Sequence, residues 1–142
     1  MVLDDVILYR EQDFVAETMR ITSGQGVAVV YDSVGQTTFL PGFHVLAPRG
    51  MMVLFGQSSG PVAPVDPQLL NAKGSLFLTR PTLAHYTSDR EELLWRSGEL
   101  FDLVTRGALT VRIGAEFSLD DTPAAHRALE GRRTTGKVVL RP

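Results

Sequence analysis

The sequence predicts an α/β fold built on a parallel sheet, on three observations. Short apolar, β-branched runs alternate with segments of helical period through the first hundred or so residues. The run Val27-Ala28-Val29-Val30-Tyr31 has no polar alternation, which is the pattern of a strand covered on both faces. Three of the apolar runs end in small, polar or glycine-containing segments, and the carboxyl ends of parallel strands are where such folds place their ligands. Strand–helix–strand succession implies right-handed crossovers.

In chain order, Val6-Ile7-Leu8-Tyr9 is the first expected strand. Glu11 to Ser23 follows as a helix, with Asp13 as its cap, Val15 and Met19 on one face and Gly24 as its stop. Val27 to Tyr31 is the second strand. Thr38 to Leu46 reads as a helix, since Phe39, Phe43 and Leu46 lie at i, i+4 and i+7 and Pro41 falls in the first turn. Pro48-Arg49-Gly50 reads as a turn, Met51 to Phe55 as the third strand, and Gln57 to Pro67 as a loop. Leu69 to Lys73 gives one or two helical turns and Ser75 to Leu78 the fourth strand. Ser88 to Arg106 has the clearest helical pattern: Ser88 and Glu91 have capping-box spacing, Leu94, Phe101 and Val104 share a face, and Gly107 follows. Beyond about Thr110 the chain changes character. Thr110–Ile113 and Phe117–Leu119 read as strand pieces, Ala124–Glu130 as a helix behind Pro123, and Lys137–Leu140 as a last strand.

Composition narrows the function classes. A chain of 142 residues with 44% hydrophobic content can bury one core. The net charge is −2 and the basic residues are scattered, so no nucleic-acid footprint is expected. No apolar run reaches the length of a membrane span, and MVLDDVILYR lacks the basic start and apolar core of a signal peptide. The absence of cysteine excludes disulfides and cysteine-ligated zinc within the chain and fits a cytoplasmic protein.

The chemistry-bearing candidates sit at strand ends: Tyr9-Arg10, Asp32-Ser33-Val34-Gly35 and Phe55-Gly56-Gln57-Ser58-Ser59-Gly60. Each segment alone is ordinary turn chemistry. Their recurrence at three successive strand ends points to a binding crevice. Taken alone, Arg80 and Arg132 read as solvated surface arginines. His44, His85 and His126 lack metal-ligand spacing and read as packing or capping residues. Asp120-Asp121 reads as a helix N-terminal cap rather than a catalytic dyad. No G-x-S-x-G elbow is present.

Five segments carry a resemblance over essentially the whole chain, in order: Tyr9-Arg10-Glu11-Gln12-Asp13-Phe14, GVAVVYDSVG from Gly26 to Gly35, GMMVLFGQSSGPV from Gly50 to Val62, LNAKGSLFLTRPTLAHY from Leu70 to Tyr86, and AHRALEGRRTTGK from Ala125 to Lys137. Together they resemble the C-terminal part of zeta-crystallin-type NADPH:quinone oxidoreductases, zinc-independent members of the medium-chain dehydrogenase/reductase superfamily. The resemblance implies a partial Rossmann-like parallel sheet lacking its first two strands, with a C-terminal strand–helix–strand tail. Residues 1–109 would form the dinucleotide-binding part, and 110–142 a segment of the catalytic domain. It also implies hydride transfer from NADPH to a quinone or an activated alkene or carbonyl.

By the same resemblance, Tyr9 would cover the adenosine end of NADPH, and Ser33, Gly35 and Gln36 would border the cofactor. Phe55, Gly56, Gln57 and Ser58 would line the nicotinamide and ribose. Leu78, Thr79 and Arg80 would approach the nicotinamide from the last strand, and Arg132 would reach it from the tail. An arginine there offers the bidentate fork that phosphate and carboxamide accept. No catalytic proton donor is implied, and no metal.

The G-x-G-x-x-G turn that grips pyrophosphate in this family lies upstream of Val6 there and is not found here. The chain therefore reads as a C-terminal fragment that binds NADPH weakly or not at all. A split gene, a deliberate truncation and a misplaced start all fit that reading. The rival expectation is a non-catalytic oligomerisation or interaction module. Two further expectations follow. A homodimer would form through Ser75–Leu78, an apolar edge with little charge protection. The strand Val6–Tyr9, deprived of its two usual neighbours, would pair directly with Val27–Tyr31 or with another copy of the chain.

Overall fold

The computed structural model describes residues 4–142. Contacts divide them into two compact units, one ending at Ser88 and one spanning Asp89–Pro142. The expected domain boundary at 109/110 falls inside the second unit.

The first unit is built on a three-stranded parallel sheet in the order β1-β2-β3: β1 (Val27–Asp32), β2 (Leu46–Leu54) and β3 (Phe77–Thr79). The expected strand Val6–Tyr9 does not form. Its backbone instead closes local turns, with Glu11 N and Gln12 N both donating to Leu8 O and Leu8 N donating to the Gln12 side chain. Its expected pairing with Val27–Tyr31 is therefore not made. A lone strand with no ladder partner satisfies its N–H and C=O groups more cheaply through turns. Val6 and Leu8 remain 69% and 55% exposed.

Helix α1 (Phe14–Ile21) is capped as expected, the Asp13 carboxylate accepting from Val15 N and Ala16 N. The next helix is much shorter than its apolar spacing suggested, because α2 spans only Phe39–Gly42. Phe39 and Phe43 still meet edge to face, with centroids 5.0 Å apart, and both are buried with Met52, Leu46, Leu54 and Leu76. The core thus formed as the pattern required while the helix unwound early. β2 begins at Leu46 and takes in Pro48-Arg49-Gly50, the expected turn. That tripeptide is an irregularity within the strand. Val27 pairs with Leu46 and Val29 with Met51, so β2 carries the excess residues, and Arg49 takes a positive φ of 62°. Helix α3 (Gln68–Ala72) and β3 complete the sheet, β3 starting two residues later than expected. A short helix α4 (Leu83–Tyr86) ends the unit.

β1 lies at an edge, so its apolar run is not covered as the sequence suggested. Tyr31 is 72% exposed, while Val30 packs against the core.

In the second unit, α5 (Arg90–Thr105) is capped by Asp89, whose carboxylate accepts from Glu91 N and Glu92 N. The Ser88–Glu91 box is displaced by one residue, since a carboxylate is an equally good cap and adds a favourable charge at the helix start. Every residue of α5 is exposed or half-buried. β4 (Ile113–Ser118) and β5 (Lys137–Arg141) form a two-stranded parallel sheet, connected through α6 (Thr122–Glu130), on which Ala125 is buried. Asp120 and Asp121 lie in a single 3-10 turn (Leu119–Asp121) before α6. There the Ser118 hydroxyl accepts from Asp120 N, so the serine, not the aspartates, supplies the side-chain cap.

Candidate functional site

The carboxyl ends of β1 and β2 lead into two loops that close on each other. β1 ends in Asp32, which is 5% exposed and, among the described residues, the one buried polar or charged side chain. A carboxylate in that position is tolerable only if its lone pairs meet donors. Its Oδ1 accepts from Val34 N at 2.7 Å, Gly35 N at 3.0 Å and Thr38 Oγ1 at 2.9 Å, and Oδ2 accepts from the same hydroxyl at 3.0 Å. This is an Asx turn extended by a threonine.

The second loop is fastened to the first through its backbone. Phe55 N and Gly56 N donate to Asp32 O, Ser58 N to Ser33 O, and Ser59 N to Val34 O. The Ser59 hydroxyl donates to Val34 O at 2.8 Å and accepts from Thr37 N at 3.2 Å. Gln36 N donates to Gly60 O.

Two glycines are required by this closure. A Cβ on Gly35, whose φ is +90°, would stand 2.8 Å from Gly60 O and 3.0 Å from Gln57 Cα. One on Gly56 would overlap the Ser33 backbone. Every backbone N–H of residues 34–39 is engaged within this pair of loops. The first loop therefore presents side chains, not a nest of free N–H groups. Ser33, Gln36, Phe55, Gln57 and Ser58 are exposed, a wall of hydroxyl, carboxamide and aromatic groups.

Beside this wall lies a cavity of about 200 Å³ lined by Tyr9, Phe14, Val30, Asp32, Ser33 and Thr38, among others. Of the candidates named from sequence, Ser33, Gly35, Gln36, Phe55, Gly56, Gln57 and Ser58 come together in the paired loops, and Tyr9 lines the same cavity as Ser33. Thr79 is in register with Val53, one residue from the end of β2, so Leu78, Thr79 and Arg80 lie at the carboxyl end of the third strand in the same sheet. All three are exposed, and Arg80 Nη1 donates to its neighbour Pro81 O. Arg132 belongs to the second unit, just past α6, with a positive φ of 53°.

Sequence reasoning missed Asp32, Thr38 and Ser59 as the parts that hold the loops together. An aspartate closing an apolar strand and followed by small residues is the signal of an Asx turn. In the sequence that segment points to a binding crevice without showing what holds it, and the long-range partner Ser59 leaves no local trace.

Among the described residues no three His, Cys, Asp or Glu side chains gather to hold a metal ion. With no cysteine in the chain, the donor set does not fit a zinc site formed by these residues. Likewise no helix of the described residues is long and apolar enough to cross a membrane.

Comparison with known proteins adds the remaining observations. Residues 3–140 match the family described as zinc-binding dehydrogenase. Quinone oxidoreductase 1 of Escherichia coli is 46% identical over 139 residues, covering 96% of this chain and 42% of that protein. A 2-haloacrylate reductase of a Burkholderia species is 43% identical over 137 residues, again 96% of this chain but 41% of the relative. The crystal structure of E. coli quinone oxidoreductase complexed with NADPH superposes with a TM-score of 0.91 at 46% identity, over 97% of this chain and 43% of that one. The chain thus spans a little over two fifths of the length of these relatives.

Proposed function

The chain belongs to the zinc-binding dehydrogenase family and corresponds to the C-terminal part of its quinone oxidoreductases, in the medium-chain dehydrogenase/reductase superfamily, and from that premise we propose that it forms part of the NADPH crevice of a quinone reductase. The observation that carries this reading is the wall of paired loops at the carboxyl ends of β1 and β2, where parallel α/β sheets bind their ligands. Bound NADPH would supply the hydride, and the acceptor would be a quinone or an activated alkene or carbonyl. The protein's own part is binding and orientation. The Ser33 hydroxyl and the Gln36 and Gln57 carboxamides suit the hydroxyl and amide groups of ribose and nicotinamide. Phe55 offers a ring face, and Tyr9 would close over the adenosine end. Leu78, Thr79 and Arg80 extend the wall along the sheet, and Arg132 is a further candidate cofactor contact by the family resemblance. In this reading residues 1–109 serve the cofactor and 110–142 belong to the catalytic domain.

The N–H groups of residues 34–39 are spent on the loops themselves. The pyrophosphate then has to be gripped elsewhere, and the chain alone should hold NADPH weakly or not at all. Losing several charge-assisted bonds of about 1.5–3 kcal/mol each lowers affinity by orders of magnitude. The test is a chimera in which residues 4–142 replace the matching part of E. coli quinone oxidoreductase. NADPH oxidation with a quinone is the expected result, and a folded but inactive chimera would sink the proposal.

A second reading, a non-catalytic association module, draws on the exposed apolar surface. Phe77 and Leu78 on the edge strand β3 are 57% and 38% exposed, and Phe101 on α5 is 69% exposed. Pairing of β3 with its copy about a two-fold axis would give a homodimer. Light scattering that reports a monomer at high concentration would remove that dimer, and micromolar NADPH affinity in the isolated chain would remove the module reading.

A further inference from the structure

Asp32 bonds to both loops. Its side chain fixes the first loop by accepting two backbone N–H groups and the Thr38 hydroxyl. Its carbonyl oxygen fixes the second by accepting Phe55 N at 2.9 Å and Gly56 N at 3.2 Å. The first loop, so shaped, offers Val34 O to both donors of Ser59. Gly35 is then pressed against Gly60 and Gln57 with no room for a side chain. The carboxylate is buried and its bonds to N–H and O–H donors are charge-assisted, so they are stronger than the neutral bonds around them.

We propose that Asp32 is a positioning residue. Its carboxylate sets the conformation of the β1 loop, and that loop serves as the template on which the β2 loop closes, so the wall of the crevice is one preformed unit. Asp32 acts through Ser33, Gln36 and Gln57, which face the ligand, and makes no ligand contact itself. The loop lock stands on geometry alone; its use in holding NADPH rests on the cofactor reading above. Preformed geometry matters to such a site because ordering two loops at the moment of binding weakens affinity.

The test compares amide hydrogen exchange by NMR in the chain and three variants, and NADPH titration in the E. coli chimera carrying the same residues. Asp32→Asn keeps the shape but removes the charge. Thr38→Val removes the hydroxyl donor alone and is the milder change should the first variant fold poorly. Thr38→Ser restores the hydroxyl. Asp32→Asn and Thr38→Val should speed exchange of the Phe55 and Ser59 amides about 10- to 100-fold, although Ser59 lies 21 residues beyond Thr38 in sequence, and leave Met52 in the core unchanged. Thr38→Ser should return both amides to the original rate, which a mere loss of packing would not allow. Unchanged exchange at Phe55 and Ser59 in Asp32→Asn overturns the proposal. So does full NADPH affinity in a chimera whose variant loops have come apart. If the unaltered chimera shows no NADPH-induced shifts while the exchange pattern is as expected, the loop lock is upheld and the cofactor reading fails instead.

Discussion

In residues 4–88, Phe39, Phe43 and Met52 are 2%, 1% and 0% exposed, whereas in residues 89–142 a 16-residue helix presents Leu94, Trp95 and Phe101 at 55%, 54% and 69%. The two units have similar kinds of residues and opposite fates for them. The first closes a core because β1, β2, the short helices α2 and α3 and Leu76 bring one set of side chains together. The second has two strands and one helix over them, and its one buried hydrophobic among the described residues is Ala125. Two strands are fewer than an independently stable sheet usually needs, and parallel sheets normally have both faces covered. Apolar composition therefore does not locate stability in this chain. Convergence of elements does.

The sharpest way to break this contrast is a matched pair of truncations followed by urea denaturation. Phe43→Ala should cost about 3–5 kcal/mol, since it empties a fully buried site that also meets Phe39 edge to face. Phe101→Ala should stay within about 0.5 kcal/mol. Equal costs would mean that α5 is covered in solution and that the contrast is wrong.

A smaller effect is expected in the first unit at its loops. Gly56→Ala places a methyl group 2.8 Å from Ser33 Cα and against its carbonyl, so stability should fall by about 1–3 kcal/mol. Gly98→Ala in α5, where a Cβ would meet nothing within 4 Å, should instead stabilise by roughly 0.5–1 kcal/mol through helix propensity. Differential scanning calorimetry distinguishes the two signs.

Helix caps sharpen the comparison further. Asp13→Ala and Asp89→Ala each remove a carboxylate that accepts two helix N–H groups and should cost about 0.5–2 kcal/mol. In the second unit that loss has little packing behind it, so far-UV circular dichroism should show α5 fraying in Asp89→Ala while the first unit keeps its cooperative transition. Two equally cooperative melts would argue that both helices are held by tertiary contacts.

The smallest effect is electrostatic. The Glu116 carboxylate across the β4–β5 pair is held below its ordinary range, chiefly by the side-chain hydrogen bond from Arg141, with the charge of the same guanidinium adding to it. A depressed carboxylate stabilises the fold above its unfolded value, and that contribution disappears as pH falls through the folded value. An NMR titration should show Glu116 returning toward its ordinary range in Arg141→Ala, with little change in the melt, as for any solvent-exposed pair.

What the sequence determined by itself were the local and periodic features. The Asp13 cap, the strands at Val27 and Met51 and the apolar stripe Phe39-Phe43-Leu46 follow from neighbours within a few residues. The segments of the family resemblance are of the same kind. The tertiary structure decided everything that needed a partner far along the chain. Val6–Tyr9 has strand propensity but no ladder to join, so it turned back on itself. β1 has the composition of a covered strand but lies at an edge, so Tyr31 stayed in solvent. Ser88 has the spacing of a cap, but Asp89 took the helix start. Ser59 became part of the crevice wall only because Val34 O and Thr37 N were brought to it across more than 20 residues. Propensity and capping are local free energies that a short segment carries with it, whereas strand pairing, burial and loop closure exist only once distant segments have met.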